Sequence, residues 1–143
     1  MKIRVMQMDD YDAVHALWAG TAGMGLRALD DSRTGIGRFL RRNPATCFVA
    51  LTEGEIVGVI LCGHDGRRGH IYHAAVEPGR RRQGIGRALL ERALMALQDE
   101  GIHKAALVVF ADNETGNAFW QNEGFTARPD LVYRNRSINH GND

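Results

Sequence analysis

The sequence has few cysteines, almost no net charge and no long apolar run, and each shortage excludes a class of protein. Cys47 and Cys62 lie singly in apolar stretches without CxxC spacing, so neither a disulfide framework nor a cysteine metal site is expected. The 18 Lys and Arg against 17 Asp and Glu leave a net charge of +1, too small for bulk attraction to nucleic acid or anionic lipid. We therefore expect no nucleic-acid partner and no metal.

Apolar residues are never concentrated enough for a membrane protein. No run approaches the roughly 20 residues that a membrane span needs. The N-terminal stretch reaches Asp9 and Asp10 without the apolar region of a signal peptide, so we expect a cytoplasmic location with no membrane partner. The 143 residues, 44% hydrophobic and 24% charged, are ordinary for one globular domain over residues 1–143.

The patterns of apolar residues predict a mixed α/β fold (α+β) with a central sheet of six to seven strands in the order β-α-α-β-β-β-α-β-α-β-β. The strands are predicted at residues 3–7, 46–51, 56–61, 70–76, 104–110, 125–126 and 131–137. The helices are predicted at residues 9–19, 32–42, 84–98 and 113–122. Because one long helix joins them, the strands at 70–76 and 104–110 are expected to run parallel. Alternation would put His70, Tyr72, Ala74 and Val76 on one face of their strand.

Glycine and arginine are concentrated where the strongest predicted helix begins. The run from Val76 to Leu90 contains Gly84 and Gly86, together with four arginines at 80, 81, 82 and 87. The first turn of a helix has free N–H groups and partial positive charge, and glycine lets an anion approach them. Guanidinium groups add full charges there. The run therefore predicts a phosphate or pyrophosphate site rather than a solvated basic turn.

The same run excludes two other phosphate motifs. A dinucleotide fold would have a third glycine where Leu89 stands, and the chain has no Gly-Lys-Ser/Thr of a P-loop. Arg81-x-x-Gly84-x-Gly86 after a strand instead resembles the coenzyme A motif of the GNAT acetyltransferase superfamily. Asn113, Trp120 and Gly124-Phe125 resemble a later segment of that family, and the turn at Asp65–Gly69 is similar to small stand-alone bacterial members.

The resemblance implies a function and a set of site residues. It implies an N-acetyltransferase that moves the acetyl group of acetyl-CoA, a cosubstrate, to a primary amine, either of a small molecule or of a protein amino group, by direct attack in a ternary complex. The fourth and fifth strands would splay and admit the pantetheine chain, and a backbone N–H near Ala75 or Val76 would polarise the acetyl oxygen. The implied cofactor-binding residues are Ala74, Ala75, Val76, Arg81, Arg82, Gln83, Gly84, Ile85, Gly86, Arg87, Asn113, Asn117 and Trp120. Relatives dimerise through sheet edges or terminal strands, which favours a homodimer.

Proton transfer is assigned to the start of the fourth strand. His70 is the predicted base, directly or through water, with Tyr72 beside it and the Val76 backbone completing the catalytic set. Asp65 and Glu77 are further candidates. Trp120 stands where many relatives have a tyrosine that protonates the leaving thiolate, and an indole does not release its proton near neutrality.

The sequence leaves the acceptor open and permits two other functions. Acidic residues that would hold a cationic acceptor and basic residues that would hold an acidic one both occur in the expected pocket. They are Asp30, Asp31, Glu123 and Asp130, against Arg27, Arg33, Arg38, Arg41 and Arg42. The alternative functions are a coenzyme A-binding module with little turnover, which Trp120 favours, and a nucleic-acid-binding domain, which the neutral net charge disfavours.

Overall fold

A computed structural model describes residues 1–143 and shows a five-stranded sheet with helices on both faces. The strands are β1 (Lys2–Val5), β2 (Phe48–Thr52), β3 (Glu55–His64), β4 (Gly69–Val76) and β5 (Ala105–Leu107). The helices are α1 (Tyr11–Ala19), α2 (Arg33–Arg42), α3 (Ile85–Asp99) and α4 (Glu114–Asn122). Short 3-10 turns cover Met8–Asp10, Pro78–Arg80 and His140–Asn142. None of the helices combines the length and the apolar character that crossing a membrane would require.

The strands follow one another across the sheet in chain order, β1-β2-β3-β4-β5. Neighbouring strands are antiparallel, except that β4 and β5, which α3 connects along the chain, pair in parallel. One core lies between the sheet and α3, and a second core lies between the sheet and α1 with α2. The predicted mixed α/β class and the parallel fourth and fifth strands are therefore confirmed.

Helix α3 is the main support of the sheet face that it covers. Its buried residues Ile85, Leu89, Ala93 and Leu97 recur every four residues and form one apolar stripe against the sheet. Gly58 in β3 faces this stripe, and a Cβ there would lie 3.0 Å from both Ile85 and Leu89. The helix therefore sits close to the sheet, which fixes the position of its N-terminus beside the end of β4.

A bulge in β4 changes which face its side chains occupy. Leu61 of β3 pairs with His73, but the next residue, Cys62, pairs with Ile71, so Tyr72 is an extra residue in β4. Simple alternation is consequently wrong across this point. Ile71 lies in the α3 core, yet the ring of His73 lies edge-on to Trp18 of α1 on the opposite face.

The predicted strands at the end of the chain are also wrong. Residues 125–126 and 131–137 form no strand, and the sheet has five strands instead of six or seven. Leu131, Val132 and Tyr133 are exposed, because the polar residues that follow provide no apolar face to bury. The C-terminus is held elsewhere, since the Asn142 side-chain oxygen accepts the N–H groups of Leu29 and Asp30 at 2.9 and 2.7 Å.

Candidate active site

The parallel strands β4 and β5 separate after a short region of pairing. The last paired residues are Ile71 and Leu107, although β4 continues to Val76. The strand predicted at residues 104–110 is therefore shorter in the structure and covers only Ala105–Leu107. Val108 and Phe110, which lie beyond the paired region, are exposed. The predicted splay between the two strands is therefore present as a gap beside the second half of β4.

The free edge of β4 offers backbone groups to this gap. The N–H of Glu77 donates to the carbonyl of Val57 in β3 at 2.8 Å, so it points away from the gap. Backbone direction alternates along a strand, and the N–H groups of Val76 and Ala74 therefore point into the gap. Of the two candidates for the acetyl oxygen, Val76 has the donor in the right direction and Ala75 does not.

The loop from β4 to α3 brings further N–H groups to the same end of the gap. Pro78 ends the strand, and the chain passes through Arg82 at a φ of 64° and Gly84 at a φ of 79° before α3 begins. No side chain caps α3, and the N–H groups of Ile85, Gly86 and Arg87 have no acceptor within the chain. A Cβ at Gly84 would meet nothing within 4 Å, so this side of the loop is open. Such free N–H groups at a helix start are suited to an anion.

Gly86 lies in the first turn of α3, beside α4 and the end of β4. A Cβ at this position would lie 3.4 Å from the ring of Phe119 in α4 and 3.7 Å from the side chain of Val76, which are ordinary contact distances. The backbone N–H of Gly86 has no acceptor within the chain and stays free for a ligand.

The four arginines of the loop are not equally available for a ligand. Nε of Arg87 lies 3.5 Å from the carboxylate of Glu91 and 3.6 Å from that of Glu123. Nε of Arg80 lies 3.9 Å from the carboxylate of Glu77. Arg81 donates through Nε to the carbonyl of Val76 at 3.4 Å and has no carboxylate partner. Arg82 is exposed and has no ion pair, and Gln83 beside it is also exposed. Arg81 and Arg82 are thus the full charges left for an anion.

Helix α4 supports the side of the gap opposite β4. Asn113 caps it, because its Oδ1 accepts the N–H of Gly116 at 2.9 Å. Asn117 donates through Nδ2 to the carbonyls of Phe110 at 3.0 Å and Asn113 at 2.8 Å, which ties α4 to the end of the diverging strand. Both predicted cofactor-binding residues thus also hold the wall of the gap in place.

Trp120 is part of an aromatic cluster next to the α3 core. Its ring lies edge-on to Phe119, with centroids 4.9 Å apart, and edge-on to Phe125, with centroids 5.3 Å apart. These contacts give the indole a packing role between α4 and the chain that follows it.

His70 and Tyr72 lie together on the α2 face of the sheet, close to the start of the gap. Their ring centroids are 4.4 Å apart, and Tyr72 is also edge-on to Phe39 of α2 at 5.5 Å. His70 is half-buried without a hydrogen-bond partner, and desolvation lowers the pKa of its imidazole. Desolvation, reinforced by the charge of Asp30, raises the pKa of the Tyr72 phenol. At neutral pH, His70 is therefore unprotonated and able to accept a proton.

The other titratable side chains around β4 are either already hydrogen-bonded or exposed. Oδ1 of Asp65 accepts the N–H groups of Arg67 and Arg68, both at 2.8 Å. Nε2 of His64 lies 2.8 Å from Glu100, and its Nδ1 accepts the N–H of Gly66. Glu77 is exposed near Arg80. His70 is the candidate that is both free and half-buried.

Asp31 and His73 form a buried pair that was not predicted from the sequence. Nε2 of His73 lies 2.8 Å from the Asp31 carboxylate, which also accepts the N–H of Arg27 at 2.7 Å. Burial raises the pKa of Asp31, but these two hydrogen bonds together with the charges of His73 and His15 outweigh burial, and the net direction of the pKa is downward. The pair fixes the loop before α2 to β4. No spacing signals it, because the residues are 42 positions apart and the bulge alone turns His73 toward α1.

Comparisons with known proteins agree with this geometry. The profile of the acetyltransferase (GNAT) family matches residues 11–125. The chain is 39% identical over 114 residues to an acetyltransferase of Pectobacterium atrosepticum, covering 80% of this chain and 79% of that protein.

Solved structures show the same fold. The structure of Ard1 from Thermoplasma volcanium has a TM-score of 0.78 at 23% identity, over 87% of this chain and 82% of that one. PaiA N-acetyltransferase from Thermoplasma acidophilum, solved in complex with coenzyme A, has a TM-score of 0.78 at 17% identity, over 89% and 90% of the two chains. The separated strands, the loop before α3 and these matches lead to one conclusion: the chain belongs to the acetyltransferase (GNAT) family, a family of acyltransferases.

Proposed function

We propose that the protein transfers the acetyl group of acetyl-CoA to a primary amine, by direct attack of the amine in a ternary complex. The observation that carries this proposal is the pair of free backbone donor sets, one at the open edge of β4 and one at the first turn of α3. The complex of the PaiA relative with coenzyme A supports the choice of cosubstrate. Residues 1–143 would act as one domain.

The backbone would bind the cosubstrate at two places. The N–H groups from Arg82 to Arg87 would bind the diphosphate, and the Arg81 and Arg82 guanidiniums would add charge-assisted hydrogen bonds. Ala74 and Val76 would pair with the amide groups of the pantetheine chain along the edge of β4, whereas the backbone of Ala75 between them faces β3. The Val76 N–H would then polarise the acetyl oxygen, because it points into the gap.

His70 would remove a proton from the ammonium group of the acceptor through a chain of waters, because it lies five strand steps, roughly 17 Å, from Val76 along β4. Its lowered pKa keeps the imidazole unprotonated near neutrality, and its lack of a partner leaves a ring nitrogen free. The amine then attacks the thioester carbon, and the thiolate of coenzyme A leaves. Tyr72 is the hydroxyl nearest to this base, whereas the Trp120 indole packs against two phenylalanines and would not act as an acid.

A coenzyme A-binding module with little turnover is the second candidate function. The packing of Trp120 favours it, because a tyrosine acid is missing from the aromatic cluster. The two candidates differ in the acceptor step and not in cosubstrate binding. A homodimer and a cytoplasmic location remain predictions of the sequence.

Two measurements test the proposed function. Calorimetry should detect binding of coenzyme A to the folded protein, and thiol release from acetyl-CoA should accelerate when a suitable primary amine is added. Absence of binding at millimolar coenzyme A would refute both candidates. Tight binding, with thiol release that stays at the background rate across chemically diverse amines, would favour the binding module.

A further inference from the structure

A cavity of about 440 Å³ lies on the α2 face of the sheet, outside the anion-binding loop. The end of α2, the β3–β4 hairpin and the first part of β4 line it, and Ala106 of β5 closes it. Tyr72 belongs to the lining and is the first residue of β4 beyond its last pair with β5. The cavity therefore adjoins the gap, and its size is that of a site for a small molecule.

Most polar groups of the lining are already used within the chain. The Asn43 side-chain oxygen accepts the N–H of His64 at 2.9 Å, and both ring nitrogens of His64 have partners. Asp65 holds the hairpin turn through two backbone N–H groups. The groups left free are the His70 ring, the Tyr72 hydroxyl and two guanidiniums.

These guanidiniums belong to Arg42 at the end of α2 and Arg68 in the hairpin. Neither has a carboxylate within ion-pair distance, and Arg68 makes only a 3.3 Å hydrogen bond to the carbonyl of Arg67. Asp65 is the one carboxylate of the lining, so two cations face a single anion. The edge-to-face rings of Phe39 and Tyr72 supply an apolar wall between α2 and β4.

We propose that this cavity binds the acceptor, and that the acceptor is a small amine whose far end carries a carboxylate or a phosphate. Arg42 and Arg68 would hold the anionic end with charge-assisted hydrogen bonds. The chain of the acceptor would lie against Phe39 and Tyr72, and the amine would extend past His70 into the gap, toward the acetyl group. This inference rests on the proposed function and adds the substrate class, which the sequence left open.

The test uses ω-amino acids of stepped length, the aminoalkylphosphonates of matching length, and the corresponding carboxamides and diamines. Thiol release from acetyl-CoA is measured with each probe, for the wild type and for Arg42→Gln and Arg68→Gln. We expect the anionic amines to exceed the carboxamides and diamines at least about tenfold in kcat/KM. The acid and phosphonate series then show which anion is preferred. Each arginine variant should raise KM for the anionic amines about tenfold, with little change for the carboxamides.

Arg41→Gln is the matched control, because Arg41 is the neighbour of Arg42 but lies beside Gly37 and outside the cavity. It should leave both series unchanged. Equal or better activity with carboxamides or diamines, or a preference for anions that survives in both cavity variants, would overturn the inference and leave the proposed function intact.

A binding measurement separates this inference from the proposed function. The melting temperature of the protein saturated with coenzyme A is measured with each probe, since a ligand that prefers the native state raises it. A rise with anionic amines that is lost in Arg42→Gln and Arg68→Gln, without thiol release, supports the cavity assignment and contradicts the transferase function. No rise and no preferential turnover contradicts the cavity assignment, while binding of coenzyme A still reports on the cosubstrate site.

Discussion

The two halves of the candidate site are built from different parts of the chain and from different atoms. The cosubstrate half is mostly backbone and runs continuously from Tyr72 to Arg87. The acceptor half consists of side chains that α2, the β3–β4 hairpin and β4 bring together across the fold. Backbone N–H groups that a turn holds in place can bind a diphosphate in many different sequences. The side chains of the acceptor half, in contrast, can change without altering that turn. The comparison indicates that the cosubstrate half defines the family and the acceptor half defines the individual enzyme.

The largest expected effect tests the backbone half through Gly84→Glu. The new carboxylate would lie on the open side of the loop, where the diphosphate is proposed to bind, and would repel it. We expect the Kd for coenzyme A to rise by about a hundredfold or more. Isothermal titration calorimetry on the folded variant measures the change.

Gly54→Glu is the matched control, because Gly54 has the same φ of 79° and equally open surroundings, but it lies in the β2–β3 turn. Both variants should lose about 1–2 kcal/mol of stability, since an L-residue is strained in this backbone conformation. Only Gly84→Glu should lose the ligand. If the two variants bind coenzyme A equally well, the loop before α3 is not the diphosphate site.

The contrast between a site half made of consecutive residues and one assembled from distant residues also explains how much of the molecule could be predicted from its sequence. The loop before α3 was predictable, because its glycines, arginines and amphipathic helix are adjacent in the chain. The Asp31–His73 pair was not predictable, because a bulge at Tyr72 decides the direction of His73 and depends on pairing with β3. Arg68 was missed for a similar reason, since its hairpin meets the end of α2 only in the folded chain.

The missing terminal strands show the limit of local pattern. Leu131, Val132 and Tyr133 have strand-forming side chains, and the sequence alone predicted that they would extend the sheet. A strand also needs a partner edge, and β5 contributes only three residues before it diverges. The splay that creates the gap thus also limits the sheet, and this geometry has no counterpart in the periodicity of residues 131–137.

A smaller effect is expected from His70→Ala, which tests the side-chain half. Loss of the base should lower kcat about thirtyfold, which is less than the roughly 10²–10⁴-fold typical of general base catalysis because water can take the proton instead, while the Kd for coenzyme A stays unchanged. Because burial lowers the pKa of His70, the wild-type rate should fall only as the pH drops below about 6.5. The pH dependence of kcat from about pH 5 to pH 9 should lose this acidic limb in the variant. An identical limb in both proteins would remove His70 from proton transfer.

The smallest effect is expected from Trp120→Phe, because Trp120 packs in the aromatic cluster of α4 and does not line the acceptor cavity. A phenylalanine keeps the edge-to-face contacts with Phe119 and Phe125, so kcat should change less than about threefold. Trp120→Tyr separates packing from acid catalysis, since it keeps a ring and adds a hydroxyl. Equal rates for the two variants mean that the thiolate leaves without help from this position. A tyrosine variant more than about tenfold faster than the phenylalanine variant would mean that protonation of the thiolate limits turnover. In that case the wild-type indole restrains the reaction, and the cosubstrate half would share control of the rate with the acceptor half.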